Sequence, residues 1–183
     1  MLVALNNSKN IMTDYNLQIP ELLNQLEAQI TEQLSLRNIH NPVMIGIHSG
    51  GVWVAQQLHK RLKIKETLGV MDISFYRDDF SQIGMHPHVQ PSHIPVSLEG
   101  RDIILVDDVF YTGRTARAAL NEIFDFGRPH QVLLAVLIER DGRQIPLKPD
   151  CVGTYMTLPA GARIKLTGPE PLGVNIQSFD TVV

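Results

Sequence analysis

Residues 103–106 read Ile-Ile-Leu-Val and stop abruptly at Asp107-Asp108; shortly afterwards Thr112-Gly113-Arg114-Thr115 opens a helical pattern. A run with no polar residue at either parity of a strand leaves no face for water. It fits a strand buried between two layers, the condition met in parallel sheets covered by helices. Beyond the glycine, Ala116, Ala119, Leu120, Ile123 and Phe124 recur at helical spacing. Gly127 can end that helix and Pro129 keeps it ended.

The same order recurs along the chain. Residues 43–47 form a short apolar strand that runs into His48-Ser49-Gly50-Gly51, after which Val52, Ala55, Leu58 and Leu62 mark an amphipathic helix. Ile19, Leu22, Leu23, Leu26, Ile30 and Leu34 mark an earlier helix, with Pro20 suited to its first turn. Met71, Ile73 and Phe75 alternate with Asp72 and Ser74, the period of a half-buried strand, while residues 132–138 read as a buried strand and residues 151–156 as a further candidate. Strands alternating with helices predict an α/β fold, a parallel twisted sheet flanked by helices with right-handed crossovers. Ligands on such sheets sit at the carboxyl ends of the strands.

The 183 residues fit one domain spanning 1–183. Residues 1–18 carry no period and are expected to be mobile. Residues 77–97 contain Pro87, Pro91 and Pro95 with little periodicity, too long for a passive connection, and are expected to form a flap. His86, His88 and His93 lie there at irregular spacing and read as solvated loop residues rather than metal ligands. A single cysteine, Cys151, excludes an internal disulfide framework and reads as a small core residue. The longest apolar run, residues 132–138, is far short of a membrane helix, and no secretion signal is evident, so the expected location is the cytoplasm. A net charge of −3 gives no general attraction to polyanions, so nucleic acid would need a local patch.

The chemistry is expected in residues 103–115. Gly113 allows backbone torsions that bring neighbouring amides onto one anion, and the Thr112 and Thr115 hydroxyls with the helix N-terminus complete a monophosphate cradle. Asp107 and Asp108, one step upstream, can accept hydrogen bonds from a vicinal diol or hold water on Mg2+. A phosphate site beside a diol site describes ribose 5-phosphate. The chain has neither a Gly-Lys-Ser/Thr P-loop nor a glycine-rich dinucleotide fingerprint after a strand.

This segment, with Tyr111 before Thr112, resembles the type I phosphoribosyltransferases, and within them the PyrR family of pyrimidine operon regulators and uracil phosphoribosyltransferases. The resemblance extends to residues 46–58, 71–79, 127–129 and 140–146 and covers about residues 20–156. It implies that 5-phosphoribosyl pyrophosphate (PRPP) binds with Mg2+ on Asp107, Asp108, Tyr111, Thr112, Gly113, Arg114 and Thr115. Pyrophosphate would lie on the loop His48, Ser49, Gly50 and Gly51, where His48 and Gly50 stand in place of a basic residue and an arginine found in many members. Arg77, Asp78 and Asp79 head the flap that closes over the reacting centre. Residues 139–158 contribute a base hood, with Arg140, Arg143, Val152 and Thr154 as candidates; Gly153-Thr154-Tyr155 replaces a common Gly-Lys-Asn.

The implied reaction converts uracil and PRPP to UMP and pyrophosphate. Two alternatives remain at this point: a UMP-sensing RNA-binding attenuator with weak catalysis, and a transferase for another base such as hypoxanthine. Helix 21–36 is acidic and unpromising for RNA, whereas Lys60, Arg61, Lys63 and Lys65, or Arg140 and Arg143, are the basic candidates. The resemblance also implies a dimer or larger assembly, with Trp53 and Phe126 readable equally as interface or core.

Overall fold

The computed structural model describes residues 17–73, 91–159 and 161–177. Helix α1 (Ile19–Leu36) begins with proline in its first turn and buries Ile19, Leu22, Leu23, Leu26 and Ile30. Strand β1 (Val43–Ile47) leads into α2 (Gly50–Arg61) and then β2 (Gly69–Met71). Strand β3 (Asp102–Phe110) leads into α3 (Arg114–Phe126), β4 (Gln131–Arg140) and β5 (Cys151–Met156). A hairpin of β6 (Arg163–Thr167) and β7 (Gly173–Gln177) follows.

The first five strands form one parallel sheet in the order β2-β1-β3-β4-β5. Alternation along the central strands separates two cores. Met44, Ile104, Val106, Leu133, Ala135 and Leu137 pack against α1 and α2. Ile45, Ile103, Leu105, Leu134 and Val136 pack with Ala116, Ala119 and Ile123 of α3 on the other face. Continuous apolar strands are the sequence expression of this double burial.

Strand β5 lies at the sheet edge, where unpaired backbone groups need partners. The Gln29 side chain supplies them: its amide NH2 donates to the Val152 carbonyl at 2.7 Å, and its carbonyl accepts the Val152 N–H at 3.1 Å. Cys151 is buried in the α1 face, and burial pushes its thiol up to about 12.

Several elements differ from the sequence reading, among them β4, which runs to Arg140 rather than Ile138. Strand β3 runs four residues beyond Val106, to Phe110, so Asp107 and Asp108 belong to the ladder, and Asp107 pairs with Val136. The strand expected at Met71, Ile73 and Phe75 is instead Gly69–Met71, with Ser74 and Phe75 outside the described residues. The β6–β7 hairpin was not read at all, although Ile164 and Leu166 alternate with Arg163, Lys165 and Thr167. Trp53 is half-buried against the α1 face, whereas Phe126 is exposed. No helix among the described residues is long and apolar enough to cross a membrane.

Candidate active site

The chain leaves β1 through α2 on one face and leaves β3 through α3 on the other, so the loops after these neighbouring strands diverge. A 2-1-3-4-5 order has its topological switch point here, where ligands bind α/β sheets. Both diverging loops open helices whose first turns contain no acidic residue and whose N-caps make no side-chain hydrogen bond. Two sets of amides, each at the positive end of a helix, therefore face one crevice.

The loop after β1 starts with the His48 N–H donating to the Met71 carbonyl at 2.8 Å, which extends the β1–β2 ladder by one residue. The His48–Ser49 peptide is cis. Gly50 and Gly51 then pass against the acidic pair with no room for a side chain. A Cβ on Gly50 would lie 2.1 Å from Oδ2 of Asp108, and one on Gly51 would lie 2.7 Å from the Val106 carbonyl oxygen and 3.0 Å from Asp107 Cα. The tertiary structure thus joins Gly50 and Gly51 of the loop after β1 to Asp108 and Asp107, which are far apart in sequence.

Both carboxylates are buried, Asp107 at 2% and Asp108 at 8% exposure. Oδ1 of Asp107 accepts the Asp108 backbone N–H at 3.0 Å, which fixes one carboxylate along the strand. Downstream, Tyr111 is exposed, Thr112 buried, Arg114 exposed and Thr115 half-buried. Gly113 holds φ at +91°, a left-handed torsion that glycine adopts without a Cβ clash, and its carbonyl accepts the first helical bond, from the Arg117 N–H. Oγ1 of Thr112 accepts the Arg114 N–H at 3.3 Å.

The proposed hood residues split into two groups: Arg140 and Arg143 line one cavity, whereas Val152 and Thr154 lie in strand β5. Val152 packs in the α3-face core, with both backbone polar groups taken by Gln29; Thr154 is half-buried in β5 opposite Ile138. Arg143 is exposed, and its guanidinium donates to the Leu147 carbonyl at 3.5 Å. Arg140 is buried at 9% exposure, donates to the Ala162 carbonyl at 2.7 Å, and stacks 4.0 Å from the Tyr111 ring centroid. Beyond these strand ends lies a cavity of about 450 Å³ lined by Arg140, Arg143, Lys148, Tyr155 and Thr157 among others. Tyr155 belongs to the Gly153-Thr154-Tyr155 segment named from the sequence, whereas Lys148 was not singled out, since an isolated lysine carries no spacing signal. Arg77, Asp78 and Asp79 lie outside the described residues.

Chemically, the crevice offers amides and hydroxyls for anions beside two carboxylates for hydroxyl donors or a hard cation. No cluster of three or more His, Cys, Asp or Glu side chains occurs among the described residues. Two carboxylates suit Mg2+ only when water and ligand oxygens complete its shell, the usual arrangement for Mg2+ with phosphate ligands.

The phosphoribosyl transferase domain family matches residues 16–156. The bifunctional protein PyrR of Nitrosococcus oceani is 51% identical over 173 residues, covering 93% of this chain and 98% of that protein. The bifunctional protein PyrR of Pseudomonas savastanoi pv. phaseolicola is 49% identical over 163 residues, covering 89% and 96% respectively. The chain belongs to the PyrR family of phosphoribosyltransferases. Solved structures agree in fold with this PyrR-family chain. A hypoxanthine-guanine phosphoribosyltransferase from Bacillus anthracis superposes with a TM-score of 0.64 at 18% identity, covering 79% of this chain and 84% of that one. A purine phosphoribosyltransferase from Pyrococcus horikoshii gives 0.54 at 26% identity, covering 76% and 81%.

Proposed function

We propose that the protein transfers the 5-phosphoribosyl group of PRPP to uracil, giving UMP and pyrophosphate. The observation that carries this reading is the contact of Gly50 and Gly51 with Asp108 and Asp107 between two uncapped helix N-termini. In this reading the amides at Gly113–Thr115 and the Thr112 and Thr115 hydroxyls hold the 5-phosphate. Asp107 and Asp108 accept hydrogen bonds from the ribose diol, and the amides of residues 49–51 receive the departing pyrophosphate.

Breaking the C1–O bond leaves an oxocarbenium-like sugar, and N1 of uracil forms the new bond to C1 as its proton is lost. Positioning of the two ends of PRPP by fixed amides lowers this barrier without requiring a dedicated base. Mg2+ carried with PRPP, held through water by Asp107 and Asp108, would neutralise charge on the leaving pyrophosphate.

The test is direct: uracil, PRPP and Mg2+ should yield UMP and pyrophosphate, and a panel of free bases should rank uracil first. Asp107→Asn combined with Asp108→Asn should abolish transfer without unfolding the domain. Near-normal turnover in that variant rules out the assignment.

A second role as an RNA-binding regulator has support in the bifunctional relatives and in the basic side chains of Arg143 and Lys148 lining the cavity. Such binding should weaken steeply with salt and tighten with UMP, and the measurement is a titration of a pyrimidine-operon leader RNA.

A further inference from the structure

We infer that Arg140, expected from the sequence in the base hood, is instead a positioning residue for the 5-phosphate loop, acting through the ring of Tyr111. This rests on the reading of residues 112–115 as the phosphate cradle. Gly113 sets the turn, and a distant segment packs against the loop. The Gln144 N–H donates to the Thr112 carbonyl at 3.0 Å, and Ile145 lies against Gly113, where a Cβ would fall 2.7 Å from Ile145 Cγ1. Tyr111 seals the same contact: a Cβ on Gly142 would lie 2.3 Å from its ring, and the Arg140 guanidinium covers the ring at 4.0 Å.

The placement of Arg140 is specific. Its side chain is buried with 9% exposure at the end of β4 and held by the Ala162 carbonyl at 2.7 Å, while Nε is buried without a hydrogen-bond partner among the described residues. A buried guanidinium with so few acceptors is costly, and the negative face of an aromatic ring is the favourable surface left to it. Arg140 therefore pulls Tyr111 onto the segment that carries Gln144 and Ile145. Tyr111 directly precedes Thr112, so release of the ring loosens the residues that hold the phosphate, not those at the base end.

The experiment measures PRPP binding by calorimetry, and steady-state KM for PRPP and uracil, in wild type, Arg140→Met, Arg140→Lys, Tyr111→Leu and the Arg140→Met/Tyr111→Leu double variant. Arg140→Met and Tyr111→Leu should each weaken PRPP about tenfold with KM for uracil changed less than twofold. The double variant should be no worse than either single one, and Arg140→Lys, which keeps a cation over the ring, should recover most of the affinity. Unchanged PRPP affinity in Arg140→Met and Tyr111→Leu, additive losses in the double variant, or an effect confined to uracil overturns the inference. If Arg140→Met does not fold, Tyr111→Leu and Arg140→Lys alone decide it: loss in the first with retention in the second upholds the role, and any other pattern overturns it. A wild-type protein that binds no PRPP overturns the phosphoribosyl reading itself, an outcome distinct from equal binding by wild type and variants.

Discussion

Replacing Gly50 by alanine separates the position of Asp108 from the stability of the fold. The new Cβ would meet Oδ2 of Asp108 at 2.1 Å and Cγ at 2.5 Å, whereas ordinary contact starts at 3.4 Å, so the carboxylate must retreat by about 1.3 Å, the difference between 2.1 and 3.4 Å. The colliding atoms belong mainly to the end of a side chain that can rotate, and Asp108 Cβ, at 2.9 Å, needs a smaller shift. Overpacking costs about 1–2 kcal/mol here, at the low end of its usual range. Alanine in place of glycine in a helix returns up to ~1 kcal/mol, so the net stability loss should be at most ~2 kcal/mol, a fall in Tm of at most roughly 4–8 °C. Activity should respond far more strongly. A displacement of about 1 Å in a positioning group costs on the order of 10²-fold, equivalent to ~2.7 kcal/mol of transition-state stabilisation. The assay is initial rates of UMP formation at varied PRPP, paired with thermal unfolding. A folded Gly50→Ala protein with kcat/KM within threefold of wild type refutes the claim that Asp108 acts from beneath this loop.

Gly113→Ala forces a side chain onto φ of +91° and against Ile145, so it should lose about 2–3 kcal/mol in chemical denaturation and weaken PRPP at least tenfold by calorimetry. Gln29→Ala strips both partners from Val152 and should cost ~2 kcal/mol, seen as a fall in Tm of roughly 4–8 °C, while Gln29→Glu, which keeps the acceptor, should fall between. Burial, aided by the Asp150 carboxylate, raises the Cys151 thiol from 9.0 to about 12, so this single cysteine should resist a thiol reagent at pH 8 until denaturant is added. Because the folded protein binds that proton more tightly, the associated stability is complete below pH 9.0 and is lost as pH rises towards 12, measurable as declining denaturation midpoints.

Much of the fold was legible because double burial leaves an unmistakable apolar run: β1, β3 and β4 each announced themselves in this way, and α1 and α3 by helical spacing. The extension of β3 to Phe110 was not legible, because two adjacent carboxylates read as a strand end. They remain in the strand because its parallel neighbour β4 supplies backbone partners and the Asp108 amide finds Oδ1 of Asp107. The β6–β7 hairpin did carry an alternating signal, but short strands separated by Gly168, Pro169 and Pro171 read more readily as loop.

The local sequence by itself determined the left-handed torsion at Gly113 and the helix start at Arg114, whereas the contacts of Gln144 and Ile145 with that turn came only with the tertiary structure. Only the tertiary structure decided that Gly50 and Gly51 press on Asp107 and Asp108, and that Arg140 caps Tyr111 while Val152 turns into the core. Torsions and hydrophobic period are properties of adjacent residues. Which loops meet depends on strand order and on which face of the sheet each helix covers, and those are fixed only when the whole sheet assembles around its two cores.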